Sequence, residues 1–204
     1  MQKKGRTKRN KNKWADHYTK KARDENYPAR SVYKLMEIQQ RFRVIKKNVR
    51  VLDLGCAPGS WLIHAAEIAG PSGRAVGIDL KPVDAALPAN AVAHIGDIFE
   101  MEPPLSEVVG REYDVVLSDM APATTGRKDI DAVRSFALCE AALRVACDLL
   151  VVSGNFVCKI FQGTEFKDFE NQVKLRFDQY RIFKPDSCRK SSKEIYIIGL
   201  GKNN

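Results

Sequence analysis

Val51-Leu-Asp-Leu-Gly-Cys-Ala-Pro-Gly-Ser-Trp61 decides how the rest of the chain is read. Val51 to Leu54 suit a buried strand, and they run into Gly55, a tight turn and the start of a helix. An α/β sheet uses a strand, a glycine-rich turn and a helix to bring main chain close to a nucleotide-like ligand. Gly55 and Gly59 allow backbone angles and a closeness of approach that a side chain would block. The spacing is not the dinucleotide fingerprint, because G-x-G-x-x-G is absent and Ala57 and Pro58 fill the middle of the turn. A strand–helix turn without a ligand is the plainer reading of the same residues.

Outward from this stretch, strands and helices alternate. Before it, Val32, Leu35, Met36, Gln39 and Phe42 recur at helical spacing, and Ser31 is an acceptable N-cap. The strand at 50–54 is followed by a helix carrying Leu62, Ala65, Ala66 and Ala69, which stops near Gly70-Pro71. Further strands are expected at 75–78, 91–95, 113–117, 155–161, 180–183 and 194–200. A weak helix is expected between Pro104 and Val109, a long one over 129–150 and another over 165–177. Helix-length connections between the first six strands imply a parallel sheet with both faces covered. Residues 184–193 show no helical pattern and are too short for a crossover, so the seventh strand returns antiparallel.

The charge is unevenly placed. Residues 1–30 hold 11 Lys/Arg against three acids, and the other 174 residues hold 23 against 22. A basic arm, partly disordered, therefore precedes a nearly neutral domain over 31–204. Such an arm suits a polyanion, most often RNA or DNA, or serves as a solubilising tail. Trp14, Tyr18 and Tyr27 lie among its charges, where they can stack on bases or pin the arm to the domain. Residues 1–13 read as disordered when free. The chain length suffices for one core. No apolar run is long enough to span a membrane. The basic N-terminus lacks the apolar segment of a secretory signal. Five cysteines without a C-x-x-C pair and three scattered histidines argue against a zinc site or disulfide framework and fit a reducing cytoplasm. No apolar surface stripe is identifiable, which favours a monomer.

Ligands of open α/β sheets bind beyond the carboxyl ends of the strands. Gly55, Asp79, Asp97 and Asp119 each stand at such an end, and Glu194 opens the reversed last strand at the same edge. Asp79, at the end of the second strand, can accept hydrogen bonds from both hydroxyls of a ribose, or act only as a turn former. Asp97 can reach the adenine end of a bound nucleoside, or be an ordinary turn residue. Lys159 interrupts the apolar run 156–161. A buried lysine loses hydration of its charged form and can serve as a general base; one near a strand end can also snorkel to water.

Taken together, several motifs resemble the FtsJ family of RNA ribose 2′-O-methyltransferases. They are Tyr33-Lys34-Leu35, Asp53-Leu-Gly-x-Ala-Pro-Gly59-x-Trp61, Ser118-Asp-Met-Ala-Pro122, Lys159-x-Phe-Gln-Gly163, Lys184-Pro-x-Ser187 and Glu194-x-Tyr196. The likeness runs from about Asp16 to Gly201. It implies a Rossmann-like fold with helices on both faces and S-adenosylmethionine (SAM) as methyl donor. It places the family's Lys-Asp-Lys-Glu tetrad on Lys34, Asp119, Lys159 and Glu194, and the donor's contacts on Gly59, Trp61, Asp79, Asp97 and Asp119, beside Gly55 of the turn. The implied substrate is a uridine in the A loop of 23S rRNA within the large ribosomal subunit. Two residues depart from the pattern: Cys56 stands where a smaller, non-thiol residue is usual, and Ser60 replaces a common glycine. The arm before Trp14 lies outside the motifs.

A ribose hydroxyl is a weak nucleophile at neutral pH, so the protein must align the reacting atoms and remove a proton. Lys159 is the expected base, with Lys34 disfavouring a second positive charge and Asp119 and Glu194 positioning both lysines. Cys56 has no partnering histidine, and the reaction needs no covalent intermediate. Other readings are an NAD-dependent oxidoreductase on a similar sheet, a non-catalytic RNA-binding ribosome-assembly factor, and an enzyme acting on another RNA such as tRNA.

Overall fold

The computed structural model describes residues 12–100, 104–122, 127–163, 165–189 and 192–204; the side chains at 12–16, 128, 129, 131 and 132 are not included. The elements are α1 (Asn12–Asp24), α2 (Val32–Phe42), β1 (Arg50–Leu54), α3 (Ser60–Ala69), β2 (Arg74–Asp79), β3 (Ala91–Ile95), α4 (Leu105–Val109), β4 (Tyr113–Ser118), α5 (Lys128–Leu149), β5 (Leu150–Phe161), α6 (Phe166–Lys174), β6 (Phe177–Phe183) and β7 (Glu194–Lys202). They form a seven-stranded sheet in the order β3-β2-β1-β4-β5-β7-β6. The first five positions in that order pair in parallel, and β7 runs antiparallel between β5 and β6. This is the mostly parallel, Rossmann-like α/β sheet expected from the alternating pattern, with its last strand reversed.

Period-two alternation sorts the strand residues into two cores. Leu52, Leu54, Val116, Phe156, Cys158 and Ile197 pack on one face with residues of α5 and α6. Val51, Val115, Leu117, Val157, Tyr196 and Ile198 pack on the other with Leu35 and Ile38 of α2 and Trp61 and Ala65 of α3. Asp53 follows Val51 by two residues and Lys159 follows Val157 by two. Both are therefore on the α2/α3 face, where the alternating pattern would otherwise put an apolar side chain.

Three differences from the sequence reading have local causes. Residues 12–24 form a helix, α1, which docks through buried Ala22 and through Tyr18, whose ring centroid lies 5.2 Å from that of Tyr33. Its charged sequence carries too few apolar residues for periodicity to announce it. The expected disorder over 1–13 otherwise falls on residues 1–11, outside the described residues. Strand β5 begins at Leu150, five residues early. The chain bulges at Ser153 (φ 68°) and Gly154 and resumes pairing, so Leu150 faces Tyr113 and Asn155 faces Val115. Strand β6 begins at Phe177, whose ring stacks on Phe156 at 5.9 Å and fills the space beside Gly199.

Candidate active site

The parallel strands β3, β2, β1 and β4 are consecutive neighbours, so Asp97, Asp79, Gly55 and Asp119 follow one another along a single rim. Gly55 has φ +77°, and a β-carbon there would lie 2.5 Å from Met120 Cγ. Gly59 has φ +111° and caps α3, and a β-carbon there would meet Val83 Cγ1 at 2.8 Å. Met120 and Val83 therefore pack against the main chain of this turn at two points where no β-carbon would fit. Asp79 braces it from the next strand: Oδ2 accepts the Ala57 N–H at 2.9 Å and Oδ1 accepts the Lys81 N–H at 2.9 Å. Each oxygen keeps a lone pair for a ribose hydroxyl. Asp97 Oδ1 accepts the Phe99 N–H at 2.9 Å, an Asx turn that leaves its second oxygen open.

Asp53 lies under this turn. It is fully buried, and neither carboxylate oxygen has a hydrogen-bond partner among the described residues. Burial pushes its carboxyl well above the usual carboxylate range, and the negative charges of Asp119 and Asp79 add to the effect. An orphaned acid of this kind, beside two bare glycines, fits a ligand that is cationic at that point. The sequence reading quoted Asp53 in the turn motif but gave it no role. Its position on an inward face of a core strand was the available signal.

Beyond β4, four side chains from four parts of the fold converge: Asp119 after β4, Lys34 from α2, Lys159 from β5 and Tyr196 from β7. Asp119 Oδ1 receives Tyr196 Oη at 2.6 Å, Lys159 Nζ at 3.1 Å and Lys34 Nζ at 3.7 Å. Lys159 Nζ also donates to the Asp119 main-chain carbonyl. Lys34, from α2, forms an ion pair with Glu194 Oε1. Strand pairing sets the far side: Lys159 faces Tyr196 and Phe161 faces Glu194 across β5–β7. The four residues read from the sequence as Lys34, Asp119, Lys159 and Glu194 are therefore brought together, mostly shielded from solvent.

Tyr196 is the member that sequence reasoning quoted without assigning. Its hydroxyl is 2.6 Å from Asp119 and 2.9 Å from Glu194. One hydroxyl has one proton, so it donates to one carboxylate at a time and lies as a wedge between two acids. Burial and those two acids push its pKa well up, so it stays protonated. Its spacing of two from Glu194 was the signal, since i and i+2 share a face of a strand.

Charge balance sets the state of Asp119 and of Lys34. Burial raises the Asp119 carboxyl, but Lys159, Lys34 and the Tyr196 hydroxyl together outweigh it and hold the group below its usual range. Burial likewise pulls Lys34 down, yet Asp119 and Glu194 prevail and hold it above an ordinary lysine. Cys56 lies beneath the turn, and burial, with Asp53 and Asp79, pushes its thiol up; it remains an unreactive thiol.

Trp61 is placed differently from the other turn residues. Its indole is 3% exposed, donates to the Ser31 carbonyl at 2.8 Å, and lies 5.8 Å from the Tyr196 ring. The side chain is used to join α3 to the start of α2. Ser60, at the position where a glycine is common, does similar work: its Oγ accepts the Ala29 N–H at 2.7 Å.

With this geometry in place, comparison with known proteins decides the family. Residues 27–202 match the model of the FtsJ-like methyltransferases. The chain belongs to the FtsJ-like methyltransferase family. It is 82% identical to a Desulforapulum autotrophicum protein named ribosomal RNA large subunit methyltransferase E, over 99% of this chain and 100% of that one. It is 53% identical to a Desulfatibacillum aliphaticivorans protein of the same name, over 96% and 94%. Among solved structures, one described as a ribosomal RNA methyltransferase from Plasmodium falciparum superposes with a TM-score of 0.73 at 26% identity, covering 86% of this chain and 98% of that one. The Methanococcus jannaschii fibrillarin pre-rRNA processing protein shares the fold at a TM-score of 0.58 and 19% identity, covering 79% and 70%. As an FtsJ-like methyltransferase the chain is an enzyme that transfers methyl groups, which sets aside the oxidoreductase reading. No described helix is long and apolar enough to cross a membrane.

Proposed function

We propose that the chain methylates the 2′-oxygen of a ribose in RNA, with SAM as donor. The substrate in this reading is 23S rRNA of the large ribosomal subunit, at a uridine of the A loop. The observation that carries the reaction is the convergence of Lys34, Lys159 and Tyr196 on one oxygen of Asp119, beside a glycine cradle. The names of the two closely similar relatives support a ribosomal substrate. The uridine and the A loop rest on the family resemblance.

The residues present fit SAM. Asp79 and Asp97 would hold its ribose and adenine ends, and the main chain at Gly55, Gly59 and Trp61 its close approach. Asp119 supplies negative charge toward the cationic end, and Asp53, buried beneath the turn, would add its own only on losing its proton. SAM, when bound, supplies a methyl group activated on a sulfonium. The protein's own task is to hold the 2′-hydroxyl in line and to take its proton.

A general base must be neutral beforehand. Lys34 is held above an ordinary lysine by its two carboxylates, so it keeps its proton and is unsuited to act as a base. Lys159, the other lysine on Asp119 Oδ1, is assigned as the base. Asp119, bonded to Lys159 through both carboxylate and carbonyl, fixes the direction of its Nζ. Lys159 Nζ would take the hydroxyl proton as the methyl carbon exchanges its bond to sulfur for one to oxygen, the donor leaving as a neutral thioether.

RNA would approach across α1 and the basic residues at the site's mouth. Burial, with the like charge of Arg189 adding to it, lowers the Arg30 pKa; a phosphodiester near the two arginines would relieve that repulsion. Residues 1–30 are read as the arm that engages RNA, and 31–204 as the methyltransferase domain, acting as a monomer in the cytoplasm.

The test is methyl transfer from labelled SAM to total rRNA, intact large subunits and tRNA in parallel. Label on one large-subunit ribose is expected. Label on tRNA alone would keep the chemistry and overturn the substrate. Binding of SAM without transfer to any RNA would favour a non-catalytic assembly role.

A further inference from the structure

The β6–β7 connection brings Cys188 to Glu194 and delivers Glu194 to Lys34. Within it Lys184 Nζ donates to the Ser192 carbonyl at 2.7 Å. Its main chain is also gripped by one side chain of α2. Glu37 Oε2 accepts the Asp186 N–H at 2.5 Å, and Glu37 Oε1 accepts the Ser187 N–H at 2.9 Å. Glu37 lies one helical turn beyond Lys34, so both residues project from the same side of α2 toward the same segment.

The turn that Glu37 grips is closed by the Cys188 N–H on the Pro185 carbonyl at 3.0 Å. Ser187 is buried, and its Oγ has no partner among the described residues. Two charge-assisted main-chain bonds to Glu37 therefore hold this turn. The next residue points into the site: Cys188 Sγ is 3.7 Å from Glu194 Oε1. Burial, the charge of Glu194 and their hydrogen bond push this thiol up, to about 12, so it stays a neutral donor toward the carboxylate.

We propose that Glu37 is a positioning residue: by clamping the Asp186–Ser187 turn to α2 it sets the β6–β7 segment so that Glu194 meets Lys34. The consequence for turnover rests on the methyl-transfer reading above; the clamp itself does not. Neither oxygen of Glu37 is called on to touch substrate, and its removal acts through Glu194 and Lys34.

The experiment compares the full chain with Glu37→Gln and Glu37→Asp. A glutamine keeps one acceptor but turns an amide N–H toward the second main-chain N–H, so the pair of bonds cannot form. Two readouts need no RNA. Amide exchange at Asp186 and Ser187 should quicken about tenfold in Glu37→Gln, the loss of one net hydrogen bond of about 1.4 kcal/mol. The Lys34 ammonium, followed by nitrogen-labelled lysine NMR, should titrate lower, because Glu194 has moved away. With RNA, kcat should fall about tenfold while the SAM dissociation constant and the folded circular dichroism spectrum stay put. Glu37→Asp, which keeps both acceptors on a shorter stem, should recover part of the loss.

Unchanged exchange and an unchanged Lys34 titration in folded Glu37→Gln would overturn the clamp. Faster exchange with unchanged kcat would overturn the positioning role and leave a purely structural bond. A wild-type chain that transfers no methyl group would strike the proposed function, and the two RNA-free readouts would still decide the clamp.

Discussion

Two aspartates on adjacent strands illustrate opposite uses of burial. Asp119 is surrounded by cations and a hydroxyl, and its pKa is lowered; Asp53 has neither, and its pKa is raised. Their linkage to stability has opposite sign. Asp119 contributes stability above the unfolded carboxylate value of about 4, and that contribution is lost as pH falls through its lower folded value. Asp53 binds a proton in the folded state that the unfolded chain releases, so it costs stability as pH rises from about 4 through its raised value. Asp53→Asn should therefore stabilise the ligand-free protein at pH 8, by about 1–3 kcal/mol, with no gain near pH 3. Thermal melts across that range decide it, and an Asp53→Asn variant no more stable at pH 8 would refute the assignment. The same variant should bind SAM more weakly. Tyr196→Phe keeps the ring and loses the wedge between two carboxylates. The expected cost is about 1–3 kcal/mol by denaturant melts.

At the scale of elements, the turn between β1 and α3 holds the rim together. It is braced by Asp79, and α3 is tied to the arm's connector through Ser60, Trp61 and the Tyr27 hydroxyl, which donates to Glu67 at 2.5 Å. Gly59→Ala would place a β-carbon 2.8 Å from Val83 in a left-handed backbone. That conformation costs a non-glycine residue about 1–3 kcal/mol. Titration calorimetry should show SAM affinity falling at least tenfold, against an unchanged affinity if the turn does not approach the donor. The sequence made most of these elements legible because the strands are apolar and the turn is unusual in its glycines. Helix α1 escaped because its docking uses few side chains, chiefly Ala22 and Tyr18, within a charged segment. The early start of β5 escaped because Ser153-Gly154 marks a bulge as readily as a turn. The clustering of Lys34, Asp119, Lys159 and Glu194 was legible through motif order; the parts of Asp53 and Glu37 were not, because only packing shows that one lacks partners and the other grips a distant loop.

The whole molecule is electrostatically lopsided: of a net charge of +9, all but one unit arises from residues 1–30. Neutralising phosphates releases counterions, so RNA affinity should fall linearly with log salt. Deleting residues 1–11, which carry six Lys/Arg, should flatten that slope and leave SAM binding untouched. Salt titrations of RNA binding by both chains measure this; equal slopes would show that the arm does not meet phosphate. Under the proposed function the site at the sheet's rim would align and deprotonate, and the arm before it would supply non-specific attraction. The measurement that bears most directly on the account is single-turnover methyl transfer to large-subunit rRNA by the wild type, Lys159→Ala and Lys159→Arg, each first shown to fold and to bind SAM. The account predicts label on one ribose with the wild type and a loss of at least a hundredfold in both variants, in the range of a removed general base. Near wild-type transfer by folded Lys159→Arg, whose guanidinium cannot accept the proton, would contradict it.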